Sequence, residues 1–282
     1  MSAPQSFSLV TPAGTTLRGF LNLPERRAPA PTIVAVHGFK GFMEWGFFPH
    51  WADLLSDRGF AVVRFNLSGT GMNPGDEIVT DREAFRRATI GQDLAEVLAV
   101  LAALADRRLA AGTADADRIS LFGHSRGGGV ALLAAAHAEW RHRIQSLVTW
   151  AAVATFSRLD PEKIETWRER GEFEILNVRT GQRLMLGTEI LDDLEAHPAE
   201  RDLETAAARR TAPWLIVHGD RDDTVPHREA EALAAVAANP YELLIVPGGD
   251  HGLGSRHPFT GPRPELIHAL NATQRWYRNH GG

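Results

Sequence analysis

The sequence predicts a doubly wound α/β fold around a mostly parallel sheet, and three observations carry that expectation. Six apolar runs of strand length recur along the chain, at 32–38, 60–66, 118–123, 144–151, 214–219 and 241–246. Their apolar residues are consecutive rather than alternating, which is what a strand covered on both faces requires. Between most of these runs lie stretches rich in Ala, Leu, Glu and Arg with apolar residues at helical spacing. Residues 153–210 alone break the rhythm, and they read as a cap inserted into one α/β domain that spans residues 1–282.

The elements follow in order. Residues 7–10 and 15–23 alternate apolar and polar around Thr11-Pro12-Ala13-Gly14, the pattern of an antiparallel hairpin. A Pro-rich link at 24–31 leads into TIVAVHG, the first buried parallel strand. Helices are predicted at 83–110, 126–140, 227–238 and 263–280. Within the cap, EFEILNVRTGQRLMLG reads as two short strands around Arg179-Thr180-Gly181, flanked by helices at 161–170 and 188–209.

Composition excludes several kinds of chemistry. The chain of 282 residues has no cysteine, so disulfides, thiolate metal sites and cysteine nucleophiles are ruled out. A formal net charge of -5 gives no electrostatic reason to expect nucleic acid or an anionic membrane as partner. Lysine occurs only at Lys40 and Lys163, so nearly all the basic residues are arginine. No apolar stretch approaches the roughly 20 residues of a membrane span, and the first residues lack a signal-peptide pattern. A cytoplasmic protein is expected, with monomer and homodimer both open. The histidines include no H-E-x-x-H and no further ligand pattern, and no G-x-G-x-x-G opens a helix. Neither a metal nor a nucleotide cofactor is predicted.

The strongest chemical signal is Gly123-His124-Ser125-Arg126-Gly127, directly after the strand RISLF and before the small-residue helix GGGVALLAAA. A nucleophile on a sharp strand-to-helix turn leaves no room for bulk on either side, and the glycines at 123 and 127 supply that room. A serine hydroxyl needs a base oriented by an acid, expected in the chain order Ser, Asp or Glu, His. His251, in Gly248-Gly249-Asp250-His251-Gly252 after the last strand, is the candidate base. For the acid, Asp220, Asp222 and Asp223 compete in the turn after WLIVHG. All these turns fall at the C-terminal ends of strands, on one edge of the sheet, where open α/β folds bind ligands. A third signal is His37-Gly38-Phe39-Lys40-Gly41, whose loop lies beside the nucleophile in such a sheet. The amides of Phe39 and Arg126 together would form an oxyanion hole, and one such donor is worth roughly 3 kcal/mol in the transition state. His37 reads as a brace for that loop.

Taken together, HGF, GHSRGG, HGDRDDTVP and GGDHG resemble the α/β-hydrolase superfamily, and the resemblance covers nearly the whole chain. Within it the motifs look like the bacterial esterase and prolyl-oligopeptidase-like branch, and the cap hairpin is similar to that of cinnamoyl and feruloyl esterases. The resemblance implies Asp222 as the acid and the Phe39 and Arg126 amides as oxyanion donors. The chain departs from the pattern at Asn66, where the superfamily often has aspartate, and at Arg126, where related esterases often have Gln or Met.

These readings predict a serine carboxylesterase acting on a small-molecule ester. Aromatics cluster near the expected mouth (Phe39, Phe42, Trp45, Phe47 and Phe48, then Trp150, Phe156 and Trp167), and more than half are expected to pack the core or pin the cap. Phe39, Trp45, Trp167 and Val225 are the candidate substrate contacts. A prolyl-oligopeptidase-like peptidase or amidase is the alternative enzyme, and a non-catalytic binding protein on a hydrolase scaffold is the alternative of another class.

Overall fold

The computed structural model describes residues 3–25, 29–238 and 240–281; residues 26–28 of the predicted Pro-rich link lie outside them. A hairpin of β1 (Gln5–Val10) and β2 (Thr16–Asn22) opens the chain. Then come β3 (Ala30–Val36), β4 (Ala61–Phe65), β5 (Ala114–His124), β6 (Ile144–Trp150), β9 (Trp214–Gly219) and β10 (Tyr241–Val246). These eight form one sheet in the order β1-β2-β4-β3-β5-β6-β9-β10. Only the pairings of β2, to β1 and to β4, are antiparallel. The sheet is therefore the mostly parallel, doubly wound one that the consecutive apolar runs predict.

Two apolar layers cover the sheet. One face packs on α1 (Phe48–Ser56) and α9 (Pro264–His280) through Trp51, Phe122, Trp150 and Tyr277, all buried. The other packs on α3 (Ile90–Ala105), α4 (Arg126–Ala136) and α8 (Arg228–Val236) through residues such as Val100, Leu121, Val130 and Leu233. Phe42, Phe47, Phe48 and Trp150, half of the eight clustered aromatics, are buried in the core.

Two predicted helices are broken. The stretch 83–110 divides into α2 (Arg82–Arg86) and α3, because Thr89 accepts a hydrogen bond from the Gln92 amide and starts a new helix. The stretch 188–209 divides into α6 (Glu189–Ala196) and α7 (Leu203–Arg209). Pro198 follows the first, and Asp202 caps the second through the Thr205 amide. Helix α1 was not anticipated from the sequence.

Between β6 and β9 lie α5 (Pro161–Arg170), the hairpin β7 (Glu172–Asn177) and β8 (Gln182–Gly187), then α6 and α7. Trp167, Leu184, Leu186 and Leu191 from this segment bury against Val79 and Phe85. This forms a third apolar cluster, while Leu203, Ala206 and Ala207 of α7 join the layer on the sheet.

Position in the sheet decides where a site can form. From β3 the chain moves to one neighbour, β4, and then crosses to the other, β5. The loops after β3 and β5 therefore part at the topological switch point and leave a crevice between them.

Candidate active site

Ser125 sits between β5 and α4 with φ 57° and ψ -126°, a conformation that costs a non-glycine residue on the order of 1–3 kcal/mol. The surrounding glycines explain how the turn fits. A Cβ at Gly123 would lie 2.4 Å from the Gly127 carbonyl oxygen, and one at Gly127 only 2.2 Å from the His37 oxygen. At Gly38 a Cβ would come within 2.9 Å of the Ser125 Cβ, so the loop after β3 rides directly against the serine. The Ser125 amide donates to the Trp150 carbonyl (2.9 Å), which ties the turn to β6.

His251 Nε2 lies 3.0 Å from Ser125 Oγ, and His251 Nδ1 lies 2.8 Å from Asp222 Oδ2. The other carboxylate oxygen of Asp222 accepts from the Thr224 and Val225 amides at 2.9 and 2.8 Å. Burial alone would raise the Asp222 pKa. Hydrogen bonds from His218, His251 and the Val225 amide outweigh it, so the group stays well below the usual carboxylate range. Among the three aspartates only Asp222 reaches the histidine: Asp223 is exposed, and Asp220 instead accepts from the Gly248 amide (2.7 Å) and joins the two loops.

Two further histidines support this chain of contacts, and sequence reasoning gave neither of them a role. His218 is fully buried; its Nε2 lies 2.7 Å from the Val225 carbonyl oxygen and 3.3 Å from Asp222 Oδ2. His124 Nε2 donates to the carbonyl of His251 (2.8 Å) and fixes the backbone of the candidate base. The i, i+4 spacing of His218 and Asp222 was a readable signal, whereas the His124 contact joins residues 127 positions apart.

The oxyanion candidates lie beside the serine. A turn closes from the Gly41 amide to the Gly38 carbonyl (3.0 Å), with Lys40 at φ 58°. Among the described residues no acceptor takes the Phe39 or the Arg126 amide. Arg126 is the first residue of α4, where the amide has no partner within the helix. Its guanidinium pairs with buried Asp93 (3.1 Å) and lies over the Phe39 ring, 4.6 Å from the centroid. The side chain of one oxyanion candidate therefore clamps the other. Asn66 ties the Met43 amide to the Met72 carbonyl, a structural role for that departure from the superfamily pattern.

A cavity of about 470 Å³ opens at Ser125 and His251. Phe39, Trp167 and Val225 are among the residues that line it, with Phe156, Phe173 and Leu186. Trp45 does not. It stacks on His124 (ring centroids 6.1 Å apart, 17° between planes) and lies against Gly252, next to His251.

Three buried groups set a pH signature. Burial lowers His37 from 6.5 to about 4 and His124 from 6.5 to about 3, while burial raises Glu96 from 4.5 to about 7. The unfolded histidines take up protons that the folded ones refuse, so stability falls as pH drops below 6.5 toward 4. Glu96 acts in the opposite sense, because its folded form binds a proton below pH 7 and its unfolded form only below 4.5. Replacing Glu96 with Gln removes that offset. Between pH 7 and 5 the variant is expected to lose roughly 2 kcal/mol more stability than the parent. Urea unfolding at the two pH values measures this, and equal losses would contradict the assignment.

Residues 45–279 match the prolyl oligopeptidase family model. The chain belongs to that family. It is a serine hydrolase of the α/β-hydrolase fold. It is similar to the uncharacterized protein YfhR of Escherichia coli O157:H7, at 23% identity over 88% of this chain and 73% of the relative. The uncharacterized peptidase YuxL of Bacillus subtilis is 25% identical over 99% of this chain, which spans only 39% of that protein. Among solved structures, Est1E of Butyrivibrio proteoclasticus with ferulic acid bound superposes with a TM-score of 0.74 at 22% identity. That alignment covers 97% of this chain and 98% of the other, and it carries the fold. No helix among the described residues is long and apolar enough to cross a membrane.

Proposed function

We propose that this family member is a carboxylesterase working through an acyl-enzyme on Ser125. The observation that carries the reading is the unbroken chain Ser125 Oγ–His251–Asp222 at the mouth of a largely apolar cavity. Ser125 Oγ attacks the ester carbonyl as His251 Nε2 takes its proton, and the carbonyl oxygen gathers negative charge against the Phe39 and Arg126 amides. Collapse breaks the C–O bond, and His251 returns the proton to the departing alcohol. Water then attacks the acyl-enzyme with His251 again as base and releases the acid. Asp222 holds the imidazole with Nε2 toward the serine and balances the charge that forms on the ring.

The family membership and the name of YuxL support peptidase or amidase activity as a second reading. Against it stands the cavity itself, which has no Asp or Glu among its lining residues to receive a free α-amine. The ferulic acid held by Est1E supports an aryl acyl group here. Parallel turnover of p-nitrophenyl esters, a feruloyl ester and an aminoacyl anilide tests the choice. Ester specificity constants well above the anilide's are expected, and the reverse order would favour the peptidase.

Residues 153–210 are proposed to act as the cap, since Trp167, Phe173, Ile175 and Leu186 form one wall of the cavity. Replacing 172–187 with a short Gly/Ser link is expected to raise KM for bulky aryl esters tenfold or more, and that for p-nitrophenyl acetate far less. A folded variant with an unchanged substrate profile would contradict the cap role.

A further inference from the structure

Three basic residues, Lys40, Arg126 and Arg158, and no acidic one are among those that line the cavity. Two of the three cations are already neutralised from behind. Arg126 pairs with Asp93, and Arg158 pairs with Glu229 while also donating to the Thr224 carbonyl (3.0 Å). Lys40 differs: among the described residues it has neither a carboxylate nor a hydrogen-bond partner, and its only close contact of this kind is the Phe39 ring, 5.9 Å from Nζ to the centroid. The other lysine, Lys163, is paired with Asp160 at 2.8 Å. An unpaired ammonium on the wall of an apolar cavity is electrostatically incomplete, since the low-dielectric surroundings strengthen its attraction to any anion that enters.

Resting on the esterase reading above, we infer that Lys40 selects esters that carry a carboxylate away from the scissile bond. The Lys40 ammonium would pair with that carboxylate while the ester carbonyl lies at Ser125 Oγ. The position of Lys40 fits the task. It directly follows Phe39, whose amide is the proposed oxyanion donor, and the turn from Gly38 to Gly41 fixes its backbone. A carboxylate bound there and the reacting carbonyl would thus be held by adjacent residues of one loop. Partial burial lowers the Lys40 pKa, a desolvation penalty that a bound carboxylate would relieve. The same arrangement disfavours substrates with a free ammonium group, which would meet the unpaired Lys40 and no acidic lining residue.

Two pairs of probes read the preference and locate the charge. On the acyl side, the p-nitrophenyl monoester of glutaric acid is compared with the same compound as its methyl ester. On the alcohol side, 4-carboxyphenyl acetate is compared with its methyl ester. In at least one pair the charged ester is expected to have a kcat/KM about tenfold above its neutral partner, mostly through KM, and the excess should shrink at high salt. Lys40→Met should collapse that charged-to-neutral ratio to near one, and Lys40→Arg should restore most of it. Neutral partners preferred or equal in both pairs would overturn the inference while leaving the esterase reading intact. So would a ratio that survives in Lys40→Met. Absence of turnover with every ester would instead remove the reading on which it rests, and this inference with it.

Discussion

Replacing Ser125 with alanine is expected to lower kcat for p-nitrophenyl acetate by about a million-fold, with the fold retained. The hydroxyl lies 3.0 Å from His251 Nε2 and the alanine Cβ still fills the contact with Gly38, so nothing in the core is disturbed. On the proposed mechanism the variant loses its nucleophile, and residual turnover would come only from binding and the proposed oxyanion amides. A thermal melt close to that of the parent, together with the lost rate, is the expected pair of results. Full activity in the purified variant, with contaminating esterase excluded, would contradict the assignment.

The second large effect belongs to Asp222. Asp222→Asn preserves shape but reverses polarity at one atom. The Thr224 and Val225 amides hold one carboxylate oxygen and would select the amide oxygen for that place. The new NH2 group would then face His251 Nδ1 and favour the tautomer with its proton on Nε2, which cannot take one from Ser125. It would also oppose His218, whose Nε2 lies 3.3 Å from the same oxygen. A fall in kcat on the order of ten-thousand-fold is expected. Asp223→Asn alters an exposed side chain and should stay within a few-fold of the parent. Reversed results from the two variants would mean that the turn presents a different carboxylate to His251.

The distribution of legible and hidden features has physical causes. The parallel strands could be read because burial on both faces forces consecutive apolar residues, a constraint that is local to each strand. The serine turn could be read because close backbone approach at Gly123 and Gly127 excludes every other side chain. Helix α1 escaped because its aromatics at Phe48 and Trp51 resemble pocket residues as readily as a helix face. Pro49 at its start and the buried spacing of Phe48, Trp51, Ala52 and Leu55 were the available signal. The break before α3 falls at Arg87-Ala88-Thr89, with no proline or glycine to mark it. Only the side chain of Thr89, which can cap a helix, distinguished it. The place of Trp45 is hidden because sequence proximity to Phe39 does not decide whether a ring lines the cavity or packs on His124. The pairing of Arg126 with Asp93 likewise depends on α3 and α4 packing side by side.

An activated Ser125 should react covalently with an electrophile built for serine nucleophiles. The folded protein is treated with a fluorophosphonate probe, digested, and the modified residue located by mass spectrometry. Stoichiometric modification of Ser125, strongly slowed in His251→Gln and absent in Ser125→Ala, is the predicted result. No modification of the active protein, or a label on another serine that persists in Ser125→Ala, would contradict it.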